Sequence, residues 1–379
     1  MFLQLFDTYS WSFNLIRLIS QAHFGGAQFS EVYETATRIR EGDRDSWYEA
    51  WSVTAGRVEG LAQDAEGAQH HVSARSLYQR ATQYWRMADF FLLPDDVRRL
   101  PAYERSLACF AAAGRYFKPP LERVEIPYEG ASLPGYFFSG GGSARGQRCP
   151  TVVFFGGGDS TAEELYFTAP GIVERGLACL IVDGPGQGAA LRLRGMPTRF
   201  DYEAPVSAAV DYALTRPDVD PERLALCSMS LGGYYAPRAA AFEPRFKALV
   251  IWGACYDYHE IWAGRPDDHP LAAHMAYAFG VPDIRAARQA MKQFTLQGVL
   301  GRISCPTLVV HGEDDANIPV EHAYRTFAEL ECPKELVIFP SGASGSAHCQ
   351  QDNLSRANEV IFDWLADVLG ESKAGGEAG

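Results

Sequence analysis

The sequence predicts an α/β protein, a mostly parallel eight-stranded sheet flanked by helices and preceded by an all-helical segment. Three observations carry this. After residue 120, continuous apolar runs of four or five residues alternate with helix-length stretches, the pattern of parallel strands buried on both faces. Before residue 120, apolar residues recur at helical spacing instead. One apolar run, Leu224-Ala225-Leu226-Cys227, leads into a serine-centred turn and then a small-residue segment, Gly233 to Ala240, that reads as a helix.

In the first segment, Trp47, Trp51, Ala55, Val58 and Ala62 share one helical stripe. Leu77, Ala81, Tyr84, Ala88 and Phe91 form a second, and Tyr103, Leu107, Phe110 and Phe117 a third. Glu41-Gly42-Asp43 and Leu93-Pro94-Asp95-Asp96 punctuate them. Residues 1–120 are therefore expected to form an N-terminal helical unit that packs as a bundle or caps an active site, ending at Pro119-Pro120. Its first residues, Met1 to Asp7, read as the start of a packed helix or arm.

Residues 121–370 hold the strands. Val124–Tyr128 and Leu133–Phe138 read as an opening antiparallel hairpin. Thr151–Phe155, Ala178–Val182, Leu224–Cys227, Ala248–Trp252, Thr307–Val310 and Leu336–Phe339 follow. The stretch 256–303 is aromatic, contains histidine and is long for a simple crossover, so it is expected to supply a second piece of lid. Residues 371–379 read as a disordered tail.

The chemistry centres on Ser228-Met229-Ser230-Leu231-Gly232. Strand, sharp turn and helix around Ser230 form the nucleophile elbow G-x-S-x-G, with Ser228 in place of the first glycine. A turn this tight needs small residues at both flanks. A nucleophilic serine needs a base, and the base an orienting acid. In this fold they follow the serine in the order acid, histidine, each after a strand. After Thr307–Val310 comes His311-Gly312-Glu313-Asp314-Asp315, with Ile318-Pro319 beyond. Its spacing selects Asp315, with Asp314 the alternative. After Leu336–Phe339 a Gly/Ser-rich loop leads to His348; His322 and His311 read as structural. The oxyanion donors are expected to be the Leu231 amide and an amide of Gly156-Gly157-Gly158, with Gly158 favoured and Gly157 beside it. Asp183-Gly184-Pro185-Gly186-Gln187-Gly188 lacks phosphate-loop spacing and reads as a structural turn.

Together with Asp159-Ser160-Thr161 after the glycines and Tyr234-Tyr235-Ala236-Pro237-Arg238 after the elbow, these motifs resemble the α/β-hydrolases with an N-terminal helical cap domain. That group includes 2,6-dihydroxypseudooxynicotine hydrolase, the polyketide-shortening hydrolase of fungal yellowish-green pigment synthesis and the fermentation-respiration switch proteins. The resemblance covers most of the chain. It implies the α/β-hydrolase fold and cleavage of a carbon–carbon bond beside a ketone, or of an ester, with no cofactor and no metal. It also implies a homodimer. Asp159 would be an extra, substrate-binding group of the active site; the other reading of Asp159 is a helix N-cap.

Composition sets the outer limits. A net charge of −13 over 379 residues argues against nucleic acid or an anionic membrane surface as partner; a small-molecule substrate is what the resemblance implies. No apolar run reaches the roughly 18 residues a membrane helix needs. The eight cysteines are dispersed, with no C-x-x-C pair; buried thiols in a reducing cytoplasm are the expectation.

Overall fold

The computed structural model describes residues 4–140 and 148–370; the expected tail and the first three residues of the N-terminal arm lie outside the described residues. Five helices come first: α1 (Tyr9–Ser20), α2 (Phe29–Ala36), α3 (Arg44–Gly67), α4 (His71–Phe90) and α5 (Arg99–Gly114). Helix α3 starts where the Asp43 carboxylate accepts the Ser46 N–H at 2.9 Å, which satisfies a donor that the first turn leaves unpaired. It buries the Trp47, Trp51, Ala55, Val58, Ala62 stripe against α4, which buries Ala81, Tyr84 and Ala88. The Trp47 indole N–H donates to the Met87 carbonyl at 2.6 Å, so the ring is buried without stranding its donor.

The strands are β1 (Glu122–Tyr128), β2 (Ala131–Phe138), β3 (Cys149–Phe155), β4 (Ala178–Val182), β5 (Val219–Met229), β6 (Phe246–Trp252), β7 (Thr307–Gly312) and β8 (Lys334–Phe339). They form one eight-stranded sheet in the order β1-β2-β4-β3-β5-β6-β7-β8. The β1–β2 and β2–β4 pairs are antiparallel and the rest parallel. All eight predicted runs fall within these strands. Strand order reverses at β3, whose neighbours are β4 and β5. There Phe155 pairs with Ser228, so the loops leaving β3 and β5 emerge side by side. That is the topological switch point, where open parallel sheets bind ligands.

Between and after the strands lie α6 (Ala162–Leu165), α7 (Ala169–Val173), α8 (Gly188–Arg192), α9 (Glu203–Leu214), α10 (Gly232–Ala240), α11 (Tyr258–Ala263), α12 (Ala272–Ala278), α13 (Ile284–Met291), α14 (Glu321–Glu329) and α15 (Leu354–Gly370). Side chains alternate across each strand. Val152, Phe154, Cys179 and Ile181 join a cluster that includes Phe362 of α15 and extends into Trp11, Trp47 and Phe110 of the N-terminal helices. Val153, Phe155, Leu180 and Val182 face Val206 of α9, Tyr234 of α10, and Trp262, Met275 and Met291 of α11–α13. The helical segment therefore shares an apolar core with one sheet face. Burying each large apolar side chain there contributes about 1.5–3 kcal/mol.

Candidate active site

Strand β5 ends at Met229 and Ser230 takes φ +61°, a left-handed conformation that costs a non-glycine residue about 1–3 kcal/mol. Two backbone bonds hold it: Ser230 N–H to the Trp252 carbonyl at 2.9 Å, and Gly233 N–H to the Ser230 carbonyl at 2.7 Å. The flanks explain the departure from G-x-S-x-G. The Ser228 hydroxyl donates to the Phe155 carbonyl at 2.9 Å. A Cβ on Gly232 would stand 1.8 Å from that hydroxyl oxygen. Serine at the first flank is tolerated because the second flank is bare.

His348 Nε2 lies 2.9 Å from Ser230 Oγ, and its Nδ1 lies 2.7 Å from an oxygen of Asp315. The other Asp315 oxygen accepts the N–H groups of Asn317 and Ile318, each at 2.8 Å. His311 contacts the same turn, with Nε2 donating to the Ile318 carbonyl at 2.8 Å. Burial works against charge on both Asp315 and His348, but their mutual attraction outweighs it: Asp315 is held below its ordinary pKa and His348 is lifted above its own. Asp314 does not reach His348. Its carboxylate accepts from the Ser341 and Ser346 hydroxyls and the Gly342 N–H and shapes the loop that delivers the histidine. His322 is buried, and its Nδ1 accepts the Tyr256 N–H at 3.2 Å.

The triple glycine is held from outside. The Gln187 side-chain amide, in the Asp183–Gly188 turn, donates to the Gly156 and Gly157 carbonyls at 2.6 and 3.2 Å. His274 of α12 lies 2.9 Å from the Gly158 carbonyl. Its other nitrogen is 2.9 Å from Arg99 Nη2; a guanidinium only donates, so His274 carries its proton on Nε2 and gives it to Gly158. Burial, then Arg99 and Arg192, push the His274 pKa down to about 4, which keeps the ring neutral. Arg99 and Arg192 are both held by Asp89 of α4. The Gly157 N–H is spent on Ser160 Oγ at 2.9 Å, which corrects the expectation that Gly157 is an oxyanion donor. Its missing Cβ is what counts, since a Cβ would stand 2.7 Å from that of Ser230. The Leu231, Gly158 and Asp159 N–H groups donate to no acceptor among the described residues.

Asp159 is not a helix cap: Thr161 caps α6, its hydroxyl accepting the Glu164 N–H at 3.2 Å. Asp159 instead accepts from Arg17 Nη1 at 3.1 Å. Arg17, in α1, also grips Glu164 through Nε and Nη2 at 2.6 and 2.5 Å, and Arg86 of α4 meets Glu164 at 2.8 Å. Burial opposes the Asp159 charge, but Arg17 and Arg86 outweigh it and hold this carboxylate well below its usual range.

These groups surround one pocket. Ser230, His348, Gly158 and Asp159 are among its lining residues, with Phe13, Asn14 and Arg17 contributed by α1 and Tyr258, Trp262, Arg265 and Met275 by the 256–303 stretch. The cap aromatics Trp47, Trp51, Tyr84, Trp85 and Phe90 pack in the core. Spacing did not single out Arg17, His274 or Arg265. For Arg17 a signal existed: a lone arginine inside Phe13-Asn14-Leu15-Ile16-Arg17-Leu18-Ile19.

Residues 165–372, which include Ser230, Asp315 and His348, match the prolyl oligopeptidase family. The chain belongs to this family of α/β-hydrolases. It is similar to 20-hydroxy-prefusarin hydrolase of Gibberella moniliformis, with 33% identity over 96% of this chain and 97% of that protein. Alpha/beta hydrolase psoB of Aspergillus fumigatus is 37% identical over 69% of this chain, and the match spans 62% of that protein. The crystal structure of 2,6-dihydroxy-pseudo-oxynicotine hydrolase superposes with a TM-score of 0.81 at 28% identity, covering 95% of this chain and 98% of that one, the N-terminal helical region included. The family member is accordingly an enzyme of the hydrolase type. No helix among the described residues is long and apolar enough to cross a membrane.

Proposed function

We propose that this family member is a serine hydrolase that cleaves a carbon–carbon bond beside a ketone, or an ester, in a bulky polyketide-like small molecule. The hydrogen-bonded chain Ser230–His348–Asp315, opening into a pocket roofed by helices, carries this reading. Ser230 Oγ attacks the carbonyl carbon while His348 Nε2 takes its proton. The Asp315 carboxylate holds the imidazole ring and stabilises the imidazolium. The tetrahedral oxyanion meets the Leu231 and Gly158 amides, with Gln187 and His274 keeping the loop carbonyls turned away. On collapse the C–C or C–O bond breaks, and the leaving enolate or alkoxide takes the proton from His348. His348 then activates water, which releases the acyl group as an acid.

Asp159 favours the ketone reading over a simple ester. Held as a carboxylate by Arg17, it accepts a hydrogen bond from an enol or phenol hydroxyl but has no proton to give. The N-terminal helices and the 256–303 stretch act as the two pieces of the lid. The setting is cytoplasmic, in keeping with thiols buried at Cys179, Cys227 and Cys255.

The test is a fluorophosphonate label together with turnover of aryl esters and aryl 1,3-diketones. Ser230→Ala is expected to abolish labelling and lower kcat by about 10⁴-fold or more; labelling that survives the substitution refutes the nucleophile. Turnover of esters alone refutes the ketone preference.

A further inference from the structure

Arg265 follows α11 and reaches the wall of the Ser230 pocket. Its Nη2 donates to the Asn317 carbonyl at 2.7 Å, and its guanidinium lies 4.5 Å from the centre of a Trp262 ring. It has no carboxylate partner among the described residues, and its Nε and Nη1 have no acceptor there. Several acids near it in the fold or the sequence are engaged elsewhere. Asp159 is taken by Arg17, Glu260 by Arg325, and Asp267 by Arg285 and Arg288. Asp315 is filled by His348 and two amides.

Arg265 thus differs from Arg17, the other arginine of this pocket, which is saturated by Asp159 and Glu164. A half-buried cation with no counterion is costly unless a ligand supplies one. Burial pulls its pKa down, with Tyr258 and Asp315 acting the other way. The group is also aimed: the Asn317 carbonyl that holds it belongs to the turn whose amides hold Asp315, so the guanidinium is tied to the catalytic frame. A guanidinium is a planar fork suited to two oxygens sharing one negative charge.

We propose that Arg265 is a specificity residue that binds a delocalised oxyanion on the substrate, either a carboxylate or the enolate of a 1,3-dicarbonyl. This rests on the reading of the pocket as the substrate site of Ser230. Arg265 and the Arg17-saturated Asp159 then sort two kinds of oxygen, the first taking a charged pair and the second a hydroxyl.

The experiment compares matched probes on wild type and Arg265→Met. For the carboxylate arm the pair is p-nitrophenyl hemiglutarate and neutral p-nitrophenyl hexanoate. For the enolate arm it is 1-phenylbutane-1,3-dione and its 2,2-dimethyl derivative, which cannot form the enolate shared between the two carbonyls. The expected result is a KM rise of about 10- to 100-fold for the acidic member of at least one pair, with the neutral ester changing less than about threefold. Which pair responds identifies the source of the charge. Equal losses on acidic and neutral members, or no loss on either, overturn the proposal. A binding arm stands apart from turnover: glutarate or the enolised dione is titrated calorimetrically into Ser230→Ala and into Ser230→Ala/Arg265→Met. Ligand that binds equally to both overturns the Arg265 assignment, whereas turnover surviving in Ser230→Ala overturns the serine mechanism and leaves this binding comparison intact.

Discussion

The pocket has two walls of different origin. Ser230, Asp315 and His348 stand on turns leaving β5, β7 and β8, each within a few residues of a strand end or a short loop, and each fixed by nearby backbone groups. On the facing wall, Arg17 and Arg265 come from α1 and the end of α11, and His274 of α12 holds the Gly158 carbonyl; these contacts are long-range, Arg17 and Glu164 being 147 residues apart and His274 and Gly158 116, as is the Ser230–His348 contact at 118. The groups that make and break bonds under the proposed mechanism are presented by turns that follow strand ends. The groups that shape, hold and recognise are set by tertiary ion pairs and buried hydrogen bonds. A lesion in the first wall should therefore strike kcat. A lesion in the second should strike stability, loop order or substrate choice.

The sharpest way to break this division is Asp315→Asn. The expected loss is about 10⁴-fold in kcat, with little change in melting temperature. The pH profile gives the sign. His348 works as a base only when neutral, and Asp315 raises its pKa, so activity climbs as pH rises through that pKa. Removing the carboxylate lowers the pKa, and the climb moves to lower pH beneath a much reduced plateau. A limb that stays in place separates the two residues.

On the other wall, Arg17→Met leaves Glu164 with Arg86 and the Gln21 amide as partners and takes from Asp159 its hydrogen-bonded arginine. The expected cost is about 3–5 kcal/mol of stability, read by thermal or urea unfolding. The folded Asp159 pKa is depressed, so the Arg17 contribution is present at neutral pH and fades as pH falls below about 4, where the unfolded carboxyl takes up its proton. The wild-type and variant stabilities should converge in acid. Curves that stay parallel through that range show that the pairing is not what is lost.

The smallest effect tests the seam between the walls. His274→Phe keeps a ring but removes the donor to the Gly158 carbonyl. It should lower kcat about 10²-fold with KM nearly unchanged, and His274→Gln, which keeps an N–H donor, should recover most of the loss. A change in KM alone would place His274 with the recognition groups.

The same division explains how much could be read without coordinates. All eight strands were legible because period-two and continuous apolar runs are local signals; strand ends and Gly/Pro spacing likewise mark the turns that carry Ser230, Asp315 and His348, which the fold brings within hydrogen-bond distance of one another. Gly157 was misread because an amide's acceptor, here Ser160 Oγ, is decided by side-chain rotamers rather than by spacing. Asp159 was ambiguous because a carboxylate before a short helix fits an N-cap equally well; only the arrival of Arg17 from α1 settles its partner. Arg265 carried no signal at all. Its significance lies in the acids that other arginines have taken, and a sequence does not show such an exclusion.

Ser228 and Gly232 share one volume: the hydroxyl of the first fills the place where a Cβ of the second would go. The two positions should therefore covary among homologues. A lineage could gain a side chain at 232 only after losing the one at 228, and even then the Gly156 carbonyl, 2.9 Å from the new Cβ, would have to shift. Pattern searches that demand glycine at the first flank would pass over chains that, like this one, carry serine there. Those that score the pair as one joint character, at most one side chain between them, would retain them.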